Sequence, residues 1–196
     1  MNVFSVQTGD LIFFDEHPHG CFRVLTSFIK CCTCSKFSHC AMVYVARGGE
    51  RIMDEEGFWL RKGIPYVMES TVHSGRCGVQ MTSLEYYLSK ATLYVRRVNT
   101  STSVGASIQR NALEKYMQYQ SFCYDPLPCD WFSVWTKCGC CMWRHSGRLH
   151  NPGMFCSAFV GRMVDLDNWE MNSAKDVADA CIPGYERFTK VLMGRC

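Results

Sequence analysis

The chain has 196 residues, of which 47% are hydrophobic and 20% are charged, and its formal net charge is +3. These values are typical of globular proteins and exclude a disordered or fibrous chain. The small charge does not favour nucleic-acid binding, and the sequence lacks both an apolar run long enough to span a bilayer and a basic stretch followed by one, as in a secretory signal. We therefore expect a cytoplasmic protein with one domain over residues 1–196 and no nucleic-acid partner.

Short apolar stretches separated by turn residues predict an antiparallel sheet in the first half of the chain. The first strand is expected at Asp10–Phe14. A helix should follow at Cys21–Lys30, where the apolar residues share one face. Further strands joined by turns are predicted within residues 37–50, 51–63 and 64–72.

Helices dominate the second half. A helix over Thr82–Ser89 is predicted because Thr82 and Glu85 can form a capping box. Ser173 and Asp176 repeat this pattern before a final helix, or pair of helices, that runs through residues 186–193. The remaining elements are a strand at Ala91–Val98 and a helix at Val104–Gln120.

One cysteine stands at the start of an amphipathic helix. After a Pro-Gly turn, apolar side chains recur at helical spacing from Phe155 to Val164, which places Cys156 in the first turn. The unpaired N–H groups and positive partial charge of a helix N-terminus favour thiolate over thiol. Cys156 is therefore a candidate nucleophile, and the alternative is a small buried hydrophobic residue.

The fourteen cysteines include two C-x-x-C pairs. Without a secretory signal, free thiols or an oxidation-dependent disulfide are expected rather than a disulfide framework. Two such pairs could supply four thiolates to one zinc ion, although about a hundred residues separate them. We expect no required cofactor. A zinc site, if formed, would use Cys31, Cys34, Cys138 and Cys141.

Residues 129–150 differ from the rest of the chain in composition, because tryptophans alternate with lysine, arginine and cysteine. Aromatic residues interleaved with bases can stack on nucleic acid or anchor at a membrane surface. We interpret the segment as an insertion that buries its tryptophans against the domain or a protein partner, since Trp and Arg are typical interface anchors. A peripheral membrane contact is the alternative interpretation.

Two further residues are singled out by their apolar surroundings. His39 lies inside a strand of apolar residues, where an imidazole without a partner would be costly to bury. Glu69 lies in another apolar, β-branched stretch, so it either faces water at a strand end or is paired inside. A carboxylate that binds one imidazole nitrogen fixes the tautomer and stabilises the imidazolium. Cys156, His39 and Glu69 thus form a candidate nucleophile, base and orienting group.

The succession TGDLIFF, FSHCAMVYV, YVMEST and FCSAFVGRMV resembles the circularly permuted NlpC-type papain-like hydrolases. That family includes YiiX-like bacterial proteins and members from poxviruses and other large DNA viruses. Its glycine-aspartate, serine-histidine, glutamate and cysteine-serine motifs correspond here to Gly9–Asp10, Ser38–His39, Glu69 and Cys156–Ser157. Ordinary papain-like enzymes have the cysteine before the histidine, so the reversed order is itself a marker of the family.

The resemblance implies an α+β fold of the circularly permuted papain-like (NlpC-type) class, with the nucleophile's helix packed on an antiparallel sheet. It also implies that Cys156 attacks a carbonyl carbon, that His39 takes and returns the proton, and that Glu69 orients His39. The Cys156 backbone N–H would contribute to the oxyanion hole. Further candidates for oxyanion or substrate binding are Tyr124, Ser157 and Asp10.

Two functions from different classes follow. The first is a cysteine hydrolase or acyltransferase that cleaves an amide, ester or thioester bond in a peptide or lipid acyl substrate. The alternative is a structural or interaction protein of a large DNA virus particle, of the minor capsid type, in which residues 129–150 hold a neighbour. The intact triad residues favour the enzyme, although a fold does not fix a function. A zinc- or redox-controlled binding module is a third interpretation.

Overall fold

The computed structural model describes residues 5–16, 26–27, 30–31, 34–73, 76–123, 154–167, 169, 172–186 and 190–192. Strands and helices share these residues, so the architecture is α+β, as the sequence predicts. The strands are β1 (Leu11–Glu16), β2 (His39–Val45), β3 (Pro65–His73), β4 (Arg76–Ser83), β5 (Ala91–Arg96) and β6 (Lys190–Leu192). The helices are α1 (Leu84–Leu88), α2 (Ser103–Tyr119), α3 (Cys156–Met163) and α4 (Ala174–Asp179).

The six strands form one antiparallel sheet in the order β4-β3-β2-β1-β5-β6. The apolar stretches 11–14 and 40–44 become β1 and β2 at the centre of the sheet, where both faces of a strand are covered. Alternate side chains of these strands point to opposite faces. The sheet therefore has two separate cores.

The first face of the sheet, which carries Cys40, Met42 and Tyr44, packs against α2, α3 and α4. Its core includes Phe159, Val160 and other apolar residues of α3, and α3 contacts both β2 and β3. The second face carries Ala41 and Val43 and is covered by Leu84 and Tyr87 of α1. Cys156 therefore begins a helix on the first face. Side chains alternate along β2, so His39 lies on the second face, with Ala41 and Val43.

The helix predicted at Thr82–Ser89 is present as α1, but its predicted start and cap are wrong, and one further helix prediction is also wrong. Thr82 lies in β4 and does not cap a helix; Ser83 precedes α1 and makes no side-chain capping bond. Within the stretch 186–193 that was predicted as helical, residues 190–192 instead form β6, which pairs with β5. By contrast, Ser173 and Asp176 do form the predicted capping box at α4.

The predicted helix at Cys21–Lys30 and the insertion at 129–150 lie largely or wholly outside the described residues. Within the described part of the chain, none of the helices is both long enough and apolar enough to cross a membrane.

The ladder between β2 and β3 is shorter than either strand. It joins Met42–Val45 to Pro65–Met68, whereas β2 stays paired with β1 as far as His39 and β3 stays paired with β4 as far as His73. The two strands therefore part beyond the Met42–Met68 pair. This separation is the place where residues from opposite faces of the sheet can meet.

Candidate active site

The N-terminus of α3 is fixed at the separation between β2 and β3. Ser70, on the unpaired part of β3, donates a hydrogen bond from its hydroxyl to the backbone carbonyl of Met154. The Met154 N–H in turn donates to the carbonyl of Cys123, at 2.9 Å. Phe155 is extended, and the helix begins at Cys156. Two hydrogen bonds to the backbone of Met154 therefore set the position of Cys156.

Cys156 lies at the first position of an eight-residue helix and is partly exposed. The first N–H groups of a helix have no acceptor within the helix, and they carry positive partial charge. The first turn of α3 contains no acidic residue that would offset this charge. The local field thus favours a thiolate that a substrate can reach.

Glu69 is fully buried on β3 and accepts hydrogen bonds from three side chains. The Nε2 atom of His39 lies 2.5 Å from Glu69 Oε2. The Thr82 hydroxyl donates to Oε1 at 2.5 Å, and the Tyr87 hydroxyl lies 2.9 and 3.0 Å from the two oxygens. A buried carboxylate is stable only when it is paired in this way.

His39 is held by packing as well as by Glu69. Its ring centroid lies 5.0 Å from that of Phe14 and 6.4 Å from that of Tyr87. Only 8% of the residue is exposed. Because Nε2 is engaged by Glu69, Nδ1 is the ring nitrogen that remains for Cys156.

The charges of Cys156 and His39 stabilise each other. A hydrogen bond from the Cys40 side chain makes the largest contribution to lowering the pKa of Cys156. Burial opposes this effect, but the charge and hydrogen bond of His39 and the backbone N–H of Cys40 hold the Cys156 pKa well below its ordinary value. Cys156 therefore ionises more readily than an ordinary cysteine.

The pKa of His39 moves in the opposite direction. Burial alone would lower this pKa, but the charge and hydrogen bond of Cys156, followed by those of Glu69, raise it well above its ordinary value. His39 is therefore an imidazolium paired with a thiolate on one side and a carboxylate on the other.

The backbone of Cys40 also faces this site. The Val43 N–H donates to the Asp10 carbonyl on β1, at 2.7 Å. Because N–H groups alternate in direction along an antiparallel strand, the N–H groups of Cys40 and Met42 point to the β3 side. There the Cys40 N–H meets Cys156 instead of a cross-strand carbonyl.

The other sequence-predicted site residues lie elsewhere. Ser157 is buried, and its hydroxyl donates to the carbonyl of Asn172 at 2.5 Å, which ties α3 to the segment before α4. Asp10 is fully buried and is bound by Gln7, Arg97 and Val98. Neither of these side chains is among the groups that the structure brings to Cys156. Tyr124 lies outside the described residues.

The cysteine pairs predicted as zinc ligands are described only in part. Cys31 and Cys34 are exposed, and the Cys34 N–H donates to the Cys31 carbonyl at 3.1 Å. Cys138 and Cys141 lie outside the described residues. In the described ranges, no group of three or more His, Cys, Asp or Glu side chains is placed to hold a metal ion.

Three contributors to the site were missed by sequence reasoning. Thr82 was interpreted as a helix cap and Tyr87 as part of a helix, although both bind Glu69. The signal that could have found Thr82 is strand register: Val67 pairs with Thr82, so alternation places Glu69 and Thr82 on one face. Cys40 was noted only as a neighbouring thiol.

The chain was compared with known proteins. No family model and no curated protein matches it. A functional assignment must therefore come from the chemistry of the residues gathered around Cys156.

Proposed function

We propose that the protein is a cysteine hydrolase or acyltransferase that acts through Cys156, His39 and Glu69. The observation that carries the proposal is the chain of charges from a partly exposed thiolate, through a buried imidazolium, to a fully buried carboxylate. A nucleophile, a base and an orienting group in contact are what acyl transfer requires. The motif order also supports a circularly permuted papain-like fold.

The first half-reaction forms an acyl-enzyme. The Cys156 thiolate attacks the carbonyl carbon of an amide, ester or thioester, and the carbonyl oxygen becomes an oxyanion near the N–H groups at the start of α3. As the tetrahedral intermediate collapses, His39 gives its proton to the leaving nitrogen, oxygen or sulfur. A thioester on Cys156 remains.

The second half-reaction releases the acyl group. His39, now neutral, takes a proton from water or from another acyl acceptor, which attacks the thioester carbonyl. Collapse of this intermediate restores the Cys156 thiolate. Glu69 stabilises the imidazolium whenever His39 holds its second proton. We propose peptides or lipid acyl compounds as the substrate class.

The first test measures the alkylation rate of Cys156 by iodoacetamide as a function of pH. Trypsin releases Cys156 in residues 149–162 and exposed Cys181 in residues 176–187, each as the single cysteine of its peptide, so Cys181 serves as an internal control. We expect Cys156 to titrate well below the ordinary thiol value of about 8.5. In His39→Ala its titration should move up in pH, whereas that of Cys181 should not move.

A substrate screen with esters and thioesters follows, with Cys156→Ser as the blank. If Cys156 reacts no faster than Cys181 and ignores the His39 substitution, the hydrolase proposal fails. The scaffold interpretation, a protein that holds a neighbour in a particle, would then replace it.

A further inference from the structure

A second thiol lies against the nucleophile. Cys40 is completely buried on β2, next to His39 in the sequence but on the opposite face of the strand. Of the other described cysteines, Cys156 is partly exposed, and five are exposed: Cys31, Cys34, Cys77, Cys123 and Cys181. Within the described ranges, Cys40 is thus the one cysteine enclosed in the core.

The β2–β3 register and the hydrogen bond that holds the segment before α3 place Cys40 next to the first turn of α3. The β2–β3 pairing of Met42 with Met68, continued by two residues, sets Cys40 opposite Ser70. Ser70 holds the Met154 carbonyl, two residues before Cys156. The side chain and the backbone N–H of Cys40 are among the groups that lower the pKa of Cys156. The strand register and the Ser70 bond therefore bring the Cys40 and Cys156 thiols together at the strand separation.

In the proposed acyl-transfer reaction the Cys40 thiol helps to lower the pKa of Cys156, but it forms and breaks no covalent bond. His39 moves the proton, Glu69 holds His39, and the start of α3 receives the oxyanion. Burial, followed by the hydrogen bond and charge of Cys156, raises the pKa of Cys40 well above its ordinary value, so Cys40 stays a neutral thiol. A reactive thiolate in contact with a neutral thiol is an arrangement that supports reversible oxidation.

We propose that Cys40 is the resolving thiol of a reversible oxidation site, in which a peroxide oxidises Cys156 and Cys40 then closes a Cys40–Cys156 disulfide. This inference rests on the reactive thiolate of the proposed function and adds the regulation of the same site. The disulfide switches the enzyme off, because it occupies the sulfur that attacks substrate. A dithiol reductant restores both thiols.

The Cys40–Cys156 disulfide forms in two steps, by way of a sulfenic acid on Cys156. The Cys156 thiolate attacks one oxygen of hydrogen peroxide, the O–O bond breaks, and the other oxygen leaves as water after taking up a proton, which gives a sulfenic acid. The Cys40 sulfur then attacks the Cys156 sulfur as it loses its proton. The S–O bond breaks, and the departing hydroxide takes up that proton to form a second water molecule.

The resolving thiol also protects the nucleophile. A sulfenic acid that finds no thiol is oxidised further to a sulfinic acid, which dithiols do not reduce. Because Cys40 is already in contact with Cys156, closure of the disulfide competes with this second oxidation. Replacing Cys40 should therefore turn reversible inactivation into irreversible inactivation.

The test treats the folded protein with hydrogen peroxide and then maps its tryptic peptides. Cys40 is the single cysteine of residues 37–47, so a disulfide joins that peptide to residues 149–162. In the wild type we expect this cross-linked pair, at about 2 Da below the sum of the reduced peptides, and full recovery of Cys156 alkylation after dithiothreitol. Cys123→Ser is the matched control, because Cys123 is exposed and its carbonyl binds the segment that leads into α3.

In Cys40→Ala we expect residues 149–162 to gain about 32 Da and to stay unreactive after dithiothreitol. Cys40→Ser keeps a donor to the thiolate and should give the same irreversible loss, so the test survives if the alanine variant does not fold. Cys123→Ser should behave like the wild type. A wild-type Cys156 that forms sulfinic acid as readily as Cys40→Ala, or that pairs with another cysteine, overturns the inference.

The reactivity of Cys156 toward peroxide and iodoacetamide distinguishes a failure of the redox inference from a failure of the proposed function. If Cys156 reacts with peroxide and iodoacetamide but forms no bond to Cys40, the redox inference is wrong and the hydrolase proposal stands. If Cys156 is inert to both reagents, the thiolate on which both proposals rest is absent.

Discussion

Among the residues that the structure describes, two carboxylates are completely buried, and they are held in different ways. Asp10, at the start of β1, accepts backbone N–H groups of Gln7 and Val98 and the Arg97 guanidinium, each at 3.0 Å. Burial raises the pKa of Asp10, and these two N–H groups and the Arg97 charge oppose the rise. Two of its three partners are thus fixed by the chain path itself.

Glu69 is bound by side chains: the imidazole of His39 and the hydroxyls of Thr82 and Tyr87. Backbone donors cannot change their charge, whereas an imidazole can. Asp10 therefore joins β1 to the segment after β5 and stabilises the fold. Glu69 is an electrostatic partner for a group that gains and loses a proton.

The largest expected effect is that of Asp10→Ala on stability. Removing this carboxylate leaves the Arg97 charge, the buried Val98 N–H and the partly buried Gln7 N–H without their acceptor, which should cost about 3–5 kcal/mol in the free energy of unfolding. Urea denaturation measures this loss. The alkylation rate of Cys156 in the folded protein should stay at the wild-type value, and a slower rate would mean that Asp10 also serves the site.

Glu69→Gln should have the opposite profile. It removes the negative charge beside His39 but keeps the size of the side chain, so acyl transfer from any ester found in the screen should fall about 100-fold. The pH at which His39 loses its proton should also move down. Asp10→Asn is the matched amide variant, and it should retain the wild-type rate. Equal rate losses in the two variants would contradict the distinction between the carboxylates.

The thiolate–imidazolium pair should make its contribution to the free energy of unfolding constant over a neutral range of pH. Between about pH 6.5 and 8.5 the folded pair and the unfolded groups each hold one proton, on His39 and on the thiol respectively, so the slope is zero. Below this range the unfolded histidine gains a proton, and above it the unfolded thiol loses one. On either side stability should fall by up to about 1.4 kcal/mol per pH unit.

This plateau is measured as the difference in unfolding free energy between the wild type and the double variant Cys156→Ser/His39→Gln. In an Asp10→Asn background the difference should keep its shape, because Asp10 takes no part in the pair. A difference that rises or falls steadily through the neutral range would show that the two groups are not both charged in the folded protein.

The smallest expected effect concerns Gln80, the cross-strand partner of Glu69. Gln80 is 6% exposed, and neither of its amide atoms has a hydrogen-bond partner in the part of the chain that the structure describes. Gln80→Met should raise the free energy of unfolding by up to about 1 kcal/mol, since it removes buried polar atoms. Thr82→Val should lower it, because Glu69 loses a donor. Thermal denaturation of both variants tests whether Gln80→Met is more stable, and Thr82→Val less stable, than the wild type.

The site residues that could be predicted from the sequence are titratable side chains that stand in apolar stretches. His39 and Glu69 were found because a titratable group in an apolar strand needs a partner, and the structure places them 2.5 Å apart. Cys156 was found because helical periodicity begins there, and α3 does begin at that residue. These signals are local, so they can be read without the fold.

The groups that depend on tertiary contacts were not predicted. Thr82 looked like a helix cap, whose hydroxyl would accept from a backbone N–H, but its hydroxyl donates instead to the Glu69 carboxylate, and hydrogen bonds to ionised groups are the stronger ones. Residues 190–192 looked helical, but the free edge of β5 pairs with them as β6. The contact between Cys40 and Cys156 follows from the end of the β2–β3 ladder, and no residue pattern marks that end.

The separation of β2 and β3 has a consequence for protein synthesis. The ribosome releases His39 and Glu69 well before Cys156, and domains form as their segments emerge. In any nascent chain that has not yet reached the start of α3, the proposed acyl-transfer site is therefore incomplete. The order of the motifs makes the nucleophile the last of the three groups to be synthesised.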